Sequence, residues 1–343
     1  MSKIIIHIGT HKTGTTSIQE LFFKNRDLLA KGKIIFPDIG RSYGHHSLVT
    51  EWINMHKHYR MPVRPKQVWS DLVDEYADQD KTIFLTSEEF SRLTPKSVNM
   101  AQLRERVSKF DEIEVVCVLR NQLSFVQSVY TQICKNRRVG GLVEFIHKAL
   151  NQRMLDGLAV DYNKLYNHVL TGFNADEIRL VSYESLVQAE DGLIGEFLKI
   201  MGTDLHSSAL ENASKDRANT SPEPLALWLA NTASTPQIVK PPLLEAANKV
   251  LIKEFGDGVK TTIFSPEEVV KFADVFEPLN RTLEKAVAKH QPDFTIAPVK
   301  IDPNYIHRNA IGKNFWCNFS REIFKMYSTL ETENSALETE KPK

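Results

Sequence analysis

Lys3-Ile4-Ile5-Ile6-His7-Ile8-Gly9-Thr10-His11-Lys12-Thr13-Gly14-Thr15-Thr16-Ser17 sets an isoleucine-rich run directly before a loop with two glycines. A short β-branched run bounded by glycine predicts a buried strand. Behind the loop, Ile18, Leu21, Phe22, Leu28 and Leu29 form a helical stripe, and Gly32 stands where a helix would stop. A strand that turns through a glycine loop into a helix start aims unpaired N–H groups and the positive dipole end at an anion. Gly9, Gly14 and Thr16 nearly complete the phosphate-loop pattern G-x-x-x-x-G-K-[ST], but Thr15 holds the lysine's place and Lys12 comes three residues early. That displacement argues against an ordinary ATP or GTP site. Helix capping alone explains neither the paired glycines nor the strand before them.

Working outward, the runs 82–86, 113–119 and 178–182 are compact, apolar and rich in β-branched residues. Helical patterns near 122–137, 140–151 and 160–170 alternate with them. The alternation predicts an α/β fold, a P-loop-like three-layer arrangement whose central, mainly parallel sheet is flanked by helices. Residues 33–36 read as a short strand, and 38–65 as a loop-rich insertion in which substrate-facing elements often live. From about residue 187 the pattern is helical, near 190–201, 223–233, 241–254 and 266–288. We expect one domain over 1–300 and an extension over 301–343, whose polar end, 331–343, is expected to be disordered.

Forty-three basic residues balance 43 acidic ones, so no global field recruits nucleic acid or an anionic membrane, and any anion site is local. Cys117, Cys134 and Cys317 are too widely spaced for a disulfide framework. No apolar run reaches the length of an integral membrane segment. The expectation is a cytoplasmic protein with no nucleic-acid partner; the sequence does not specify an oligomeric state.

Several residues could carry chemistry. Thr15, Thr16 and Ser17 offer hydroxyl donors at the helix start, and Lys12 a mobile cation. Arg120, at the end of the 113–119 strand, would emerge at the same carboxyl edge as the glycine loop, where open α/β sheets bind ligands. Ser128 follows it eight residues later on the next helix, so the two could grip a second phosphate. The metal-binding aspartate that a kinase would prefer at that strand end is missing. His45, His46, His56 and His58 fit no common zinc spacing. Trp52, Tyr59 and Trp69 could stack on sugar rings or serve the core. Lys135, Arg137 and Arg138 form a basic cluster of the kind usually found at a solvated helix end.

Taken in order, these segments resemble the sulfotransferase superfamily, which uses 3′-phosphoadenosine 5′-phosphosulfate (PAPS). Lys12-Thr13-Gly14-Thr15-Thr16, with Ser17, resembles its 5′-phosphosulfate loop. Arg120 and Ser128 resemble its 3′-phosphate site. Arg179-Leu180-Val181-Ser182-Tyr183-Glu184-Ser185-Leu186 is similar to the strand ending in Tyr-Glu-Asp-Leu that flanks the nucleotide through Tyr183, with Ser185 departing from the acid. Asp216–Ser221 resembles the late loop that brings Arg217 to the nucleotide. The likeness spans roughly residues 3–225 and is nearest to bacterial carbohydrate-type members. It implies transfer of a sulfonate, without metal, to a hydroxyl of a carbohydrate or glycolipid acceptor, leaving 3′-phosphoadenosine 5′-phosphate (PAP). Lys12 would then neutralise the bridging oxygen as it leaves. The base would be Glu88, in Thr86-Ser87-Glu88-Glu89-Phe90, with His46 and His45 as competitors. A small-molecule kinase using Mg-ATP, or a non-catalytic nucleotide-binding protein, would share the loop but not these further residues.

Overall fold

The computed structural model describes residues 1–137, 140–212 and 222–339. Along the chain, β1 (Lys3–Gly9) leads through the glycine loop into α1 (Thr15–Lys24) and α2 (Arg26–Lys31), followed by β2 (Ile34–Ile35), α3 (His46–Val49), α4 (Pro65–Tyr76), β3 (Thr82–Thr86), α5 (Met100–Arg106) and β4 (Glu112–Leu119). Next come α6 (Gln122–Asn136), α7 (Leu142–Asn151), the hairpin of β5 (Met154–Leu155) and β6 (Leu158–Ala159), α8 (Tyr162–Val169), β7 (Ile178–Ser182), α9 (Tyr183–Gln188) and α10 (Gly192–Ile200). The last elements are α11 (Pro224–Ser234), α12 (Pro241–Phe255), β8 (Thr261–Thr262), α13 (Pro266–Val287), β9 (Ile306–His307) and α14 (Lys313–Thr339).

Five strands pair in the order β2-β3-β1-β4-β7, and every pairing is parallel. β1 is central, with His7 opposite Thr86 of β3 and Val116 of β4. Strand alternation divides its isoleucines between the faces. Ile4, Ile6 and Ile8 enter a core with Ile83, Leu85, Val115 and Trp69. Ile5 enters a second core with Ile18, Phe22, Phe84 and Val118. All four isoleucines are fully buried, each contributing about 1.5–3 kcal/mol. The expected parallel, helix-flanked sheet is therefore present, and its two cores fix where every strand end lies.

The described residues group into two compact units, one drawn from Met1–Phe125, Lys148–Asn219 and Asp274–Pro298, the other from Val126–His147, Thr220–Ala273 and Val299–Lys343. The second has its own core, in which Leu225, Leu229, Ala247 and Val250 meet Phe315 and Phe319.

Three details differ from the sequence pattern. The helix expected to run to Gly32 breaks at Asn25, whose side-chain amide donates to Leu21 O at 2.8 Å while its oxygen accepts Glu211 N at 2.8 Å. Those side-chain bonds compete with the helical ladder. Disorder was expected from residue 331, yet α14 continues to Thr339. Glutamate, alanine and leucine in that stretch are strong helix formers, and the first breaker is Pro342. Finally, α6 buries Phe125, Val126, Val129, Tyr130 and Cys134, whereas Leu123 and Ile133, apolar residues of the same helix, are only half-buried.

Candidate active site

Four strands of the sheet end in a residue of the expected site: β1 in the glycine loop, β3 before Glu88, β4 before Arg120 and β7 before Tyr183. Parallel pairing brings these ends to one edge, which is where ligands bind in open α/β sheets.

The loop depends on left-handed backbone at Gly9 (φ 74°) and Gly14 (φ 81°). Lys12 takes the same conformation (φ 65°), which costs a side-chain-bearing residue about 1–2 kcal/mol. Strain of this kind persists only where neighbours over-determine it. Thr13 Oγ1 donates to Thr10 O at 2.5 Å, Thr10 donates through N and Oγ1 to Val118 O at 2.8 and 3.1 Å, and Arg120 Nη1 donates to Lys12 O at 3.0 Å. Gly14 is the N-cap of α1, a helix with no side-chain cap and no acid in its first turn. Its first N–H groups and dipole are thus left to an anion. Thr13 and Thr15 are buried, Thr16 is exposed and Ser17 half-buried. Thr13 spends its hydroxyl inside the loop, whereas Thr16 and Ser17 are the more accessible of the hydroxyl residues at the helix start.

Glu88 lies against this loop. A Cβ on Gly9 would sit 2.9 Å from Glu88 Cβ and 3.1 Å from its Cα, so only glycine permits the approach. Glu88 Oε2 accepts from Gln19 Nε2 at 3.0 Å and lies 4.0 Å from His46 Nδ1. His46 Nδ1 is also 2.8 Å from Ser87 Oγ, and its ring centroid is 5.2 Å from that of Tyr59. His45 is different. Its Nδ1 accepts Thr86 N at 2.9 Å and its Nε2 donates to Pro37 O at 2.9 Å. Burial, opposed by these bonds, lowers its pKa to about 4. With both nitrogens engaged by backbone and the ring sealed, His45 has no free nitrogen for a substrate proton; it ties the insertion to β3.

Glu89 is also engaged. Burial, the largest influence on it, would raise its pKa, but hydrogen bonds and charge from His11 and Arg92 prevail and hold it at about 2. Of the three aromatics, Trp69 is fully buried in the core, and Trp52 packs against that core with Nε1 donating to Gln102 at 2.8 Å. Tyr59 remains half-buried beside His46, its phenol pKa raised first by burial and then by the charges of Glu88 and Glu89.

Arg120 joins the loop to the strand-end tyrosine. Its guanidinium lies 4.9 Å from the Tyr183 ring centroid, and its carbonyl accepts Tyr162 Oη at 2.5 Å. Glu184 accepts Asn121 N at 3.0 Å, tying the ends of β4 and β7. The departing Ser185 is exposed, and its N–H caps onto Ser182 Oγ at 3.4 Å. Ser128 belongs to the second unit and is half-buried on α6, its carbonyl accepting Thr131 Oγ1 at 2.9 Å. Arg217, Ser221 and Arg138 lie outside the described residues. Among the described residues no three His, Cys, Asp or Glu side chains gather as metal ligands, and His56 and His58 are exposed. Sequence reading missed Gln19, Ser87, His11 and Arg92, because the contacts of Gln19 with Glu88, Ser87 with His46, His11 with Glu89 and Arg92 with His11 join residues 41 to 81 apart in the chain.

Residues 2–280 match the sulfotransferase domain family. Among solved structures, the sulfotransferase from Alicyclobacillus acidocaldarius is 11% identical, covering 82% of this chain and 94% of that one, with a TM-score of 0.46. Mouse sulfotransferase SULT7A1, complexed with PAP, is 11% identical, covering 85% of this chain and 89% of that one, with a TM-score of 0.41. No curated protein sequence matches the chain. No helix among the described residues is long and apolar enough to cross a membrane.

Proposed function

The chain belongs to the sulfotransferase domain family, and from that premise we propose that it transfers a sulfonate from PAPS to a hydroxyl of a carbohydrate or glycoconjugate acceptor. One observation carries the reading: the glycine at position 9 lets the end of β3 approach within contact of the glycine loop, which supports taking Glu88 and Lys12 as parts of one site. The uncapped start of α1, with Thr16 and Ser17, receives the 5′ end of the nucleotide, and Lys12 stabilises charge on the leaving oxygen. Arg120, beside Tyr183, suits the 3′-phosphate. Ser128 and Arg217 are proposed for the same phosphate from the sequence motifs alone.

In the transfer, the acceptor oxygen forms a bond to sulfur while the bond from sulfur to the 5′-phosphate oxygen breaks and its electron pair stays on that phosphate. The acceptor's proton passes to Glu88, with His46 beside it. Gln19 orients the glutamate through Oε2. Tyr59, an aromatic face beside the candidate base, supports a sugar acceptor, since such rings stack on tyrosine.

Calorimetry with PAP, PAPS and Mg-ATP, followed by transfer from labelled PAPS to a panel of carbohydrate acceptors, tests the proposal. PAP and PAPS should bind without added metal and the label should reach a sugar. Binding of Mg-ATP with none to PAP or PAPS would overturn the nucleotide assignment. Transfer confined to acceptors that are not sugars would overturn the acceptor class.

A further inference from the structure

A chain of polar contacts ends on the residue immediately before Lys12. It begins in the turn of the β5–β6 hairpin, where Arg92 Nη1 donates to Asp156 O at 2.6 Å and Leu93 N donates to Gly157 O at 2.9 Å. A Cβ on Gly157 (φ +85°) would lie 2.3 Å from Thr94 O and 2.8 Å from Arg92 Nη1, so glycine is required for the turn to close on the arginine. Arg92 Nε then donates to Glu89 Oε2 at 2.7 Å, and Glu89 Oε1 lies 3.3 Å from His11 Nε2. Arg92 Nη2 lies 3.4 Å from the same His11 nitrogen, so carboxylate and guanidinium together hold one edge of the ring. His11 Nδ1 is buried and has no hydrogen-bond partner among the described residues.

A carboxylate holding an imidazole is the arrangement of a base with its orienting group. Here the second ring nitrogen is sealed from solvent and away from an acceptor hydroxyl. What the anchored ring holds is its own backbone, which runs directly into Lys12 and its left-handed conformation.

We propose that Arg92, Glu89 and His11 form a positioning chain that holds the Lys12 backbone in the conformation required to meet the donor's 5′-phosphate. The three are positioning residues and touch no substrate. The inference rests on the reading of Lys12 given above. It also separates two adjacent carboxylates: Glu88 is left facing Gln19 and His46, while Glu89 is committed to the loop.

PAP tests this without an acceptor, because it carries the 5′-phosphate charge that develops on the leaving oxygen. Its dissociation constant is measured by calorimetry for the wild type, His11→Ala, Lys12→Ala and the double variant, with thermal unfolding of each. His11→Ala should weaken PAP about tenfold in the wild-type background and less than about twofold once Lys12 is alanine, since residues acting through one another are not additive. His11→Gln, which keeps a donor toward Glu89, should recover most of the affinity. Glu89→Gln, which preserves shape, gives a second cycle should His11→Ala fail to fold. If the wild type does not bind PAP, the donor-site reading itself fails. If it binds but His11→Ala is silent, or costs the same with and without Lys12, the positioning chain alone is wrong.

Discussion

Gly9→Ala tests the contact on which the site depends. The glycine holds φ +74°, and left-handed backbone costs alanine about 1–2 kcal/mol. The new Cβ would meet Glu88 Cβ at 2.9 Å and, less avoidably, Glu88 Cα at 3.1 Å. Ordinary contact begins at 3.4 Å, so loop and strand end must part by a few tenths of an ångström to half an ångström. Both are held, the loop by Val118 O and the strand end by Ser87 N donating to His7 O at 3.0 Å. Forcing atoms into such a place costs about 1–3 kcal/mol, so the variant should lose about 2–5 kcal/mol in all. Gly202→Ala supplies the reference, because Gly202 has φ +80° with nothing within 4 Å of its Cβ and incurs the backbone term alone. Equilibrium urea unfolding of both variants isolates the contact term as their difference. Turnover of PAPS should also fall about 10- to 100-fold in Gly9→Ala, because small displacements of positioned groups carry large rate penalties, and remain near normal in Gly202→Ala. Equal stability and equal turnover in the two variants would refute the claim that Gly9 sets the approach of Glu88 to the loop.

Lys12→Ala should reduce sulfonate transfer by about 10²–10³ while the protein stays folded, as for other positioned charge stabilisers; initial rates with labelled PAPS and a circular dichroism spectrum check it. Glu89→Gln should cost up to about 3 kcal/mol near neutral pH, because a carboxylate held at about 2 in the fold and near 4.5 when unfolded stabilises fully above 4.5 and ceases to as pH falls through 2. The acid limb of its stability curve should flatten by the same amount in urea titrations. His45 acts in a different window: its folded pKa of about 4 lies below the unfolded 6.5, so the unfolded chain takes up the proton first. His45 should account for about 3 kcal/mol of the stability lost between 6.5 and 4, and replacing it by asparagine should remove that share in denaturant melts, leaving the slope due to buried His7, whose pKa burial lowers to about 3.

The glycine loop, the strands at 82–86, 113–119 and 178–182, and the helices after them were legible in the chain because each is a local pattern: β-branched runs, helical stripes and punctuating glycines. Lys12 and Arg120 stood out for a related reason, since residues just beyond the ends of parallel strands must share one edge of the sheet, whereas Tyr183 and Glu88 were named only through the resemblance to the family, and their strands end at that same edge. What sequence could not supply was direction. His45 and His46 are adjacent, yet the backbone of α3's entry turns one ring inward to Pro37 and Thr86 and sets the other 4.0 Å from Glu88. Glu88 and Glu89 are adjacent too, and Arg92 and His11 claim the second. Trp52, Tyr59 and Trp69 looked alike until packing sent the tryptophans to the core and left the tyrosine beside His46. Sequence by itself determined the sheet, the glycine loop after its first strand and the edge at which the strand ends gather, because those follow from periodicity and chain direction. Only the tertiary structure decided which member of each adjacent pair is claimed by distant partners, because that depends on long-range contacts satisfying buried polar groups, and no local pattern records them.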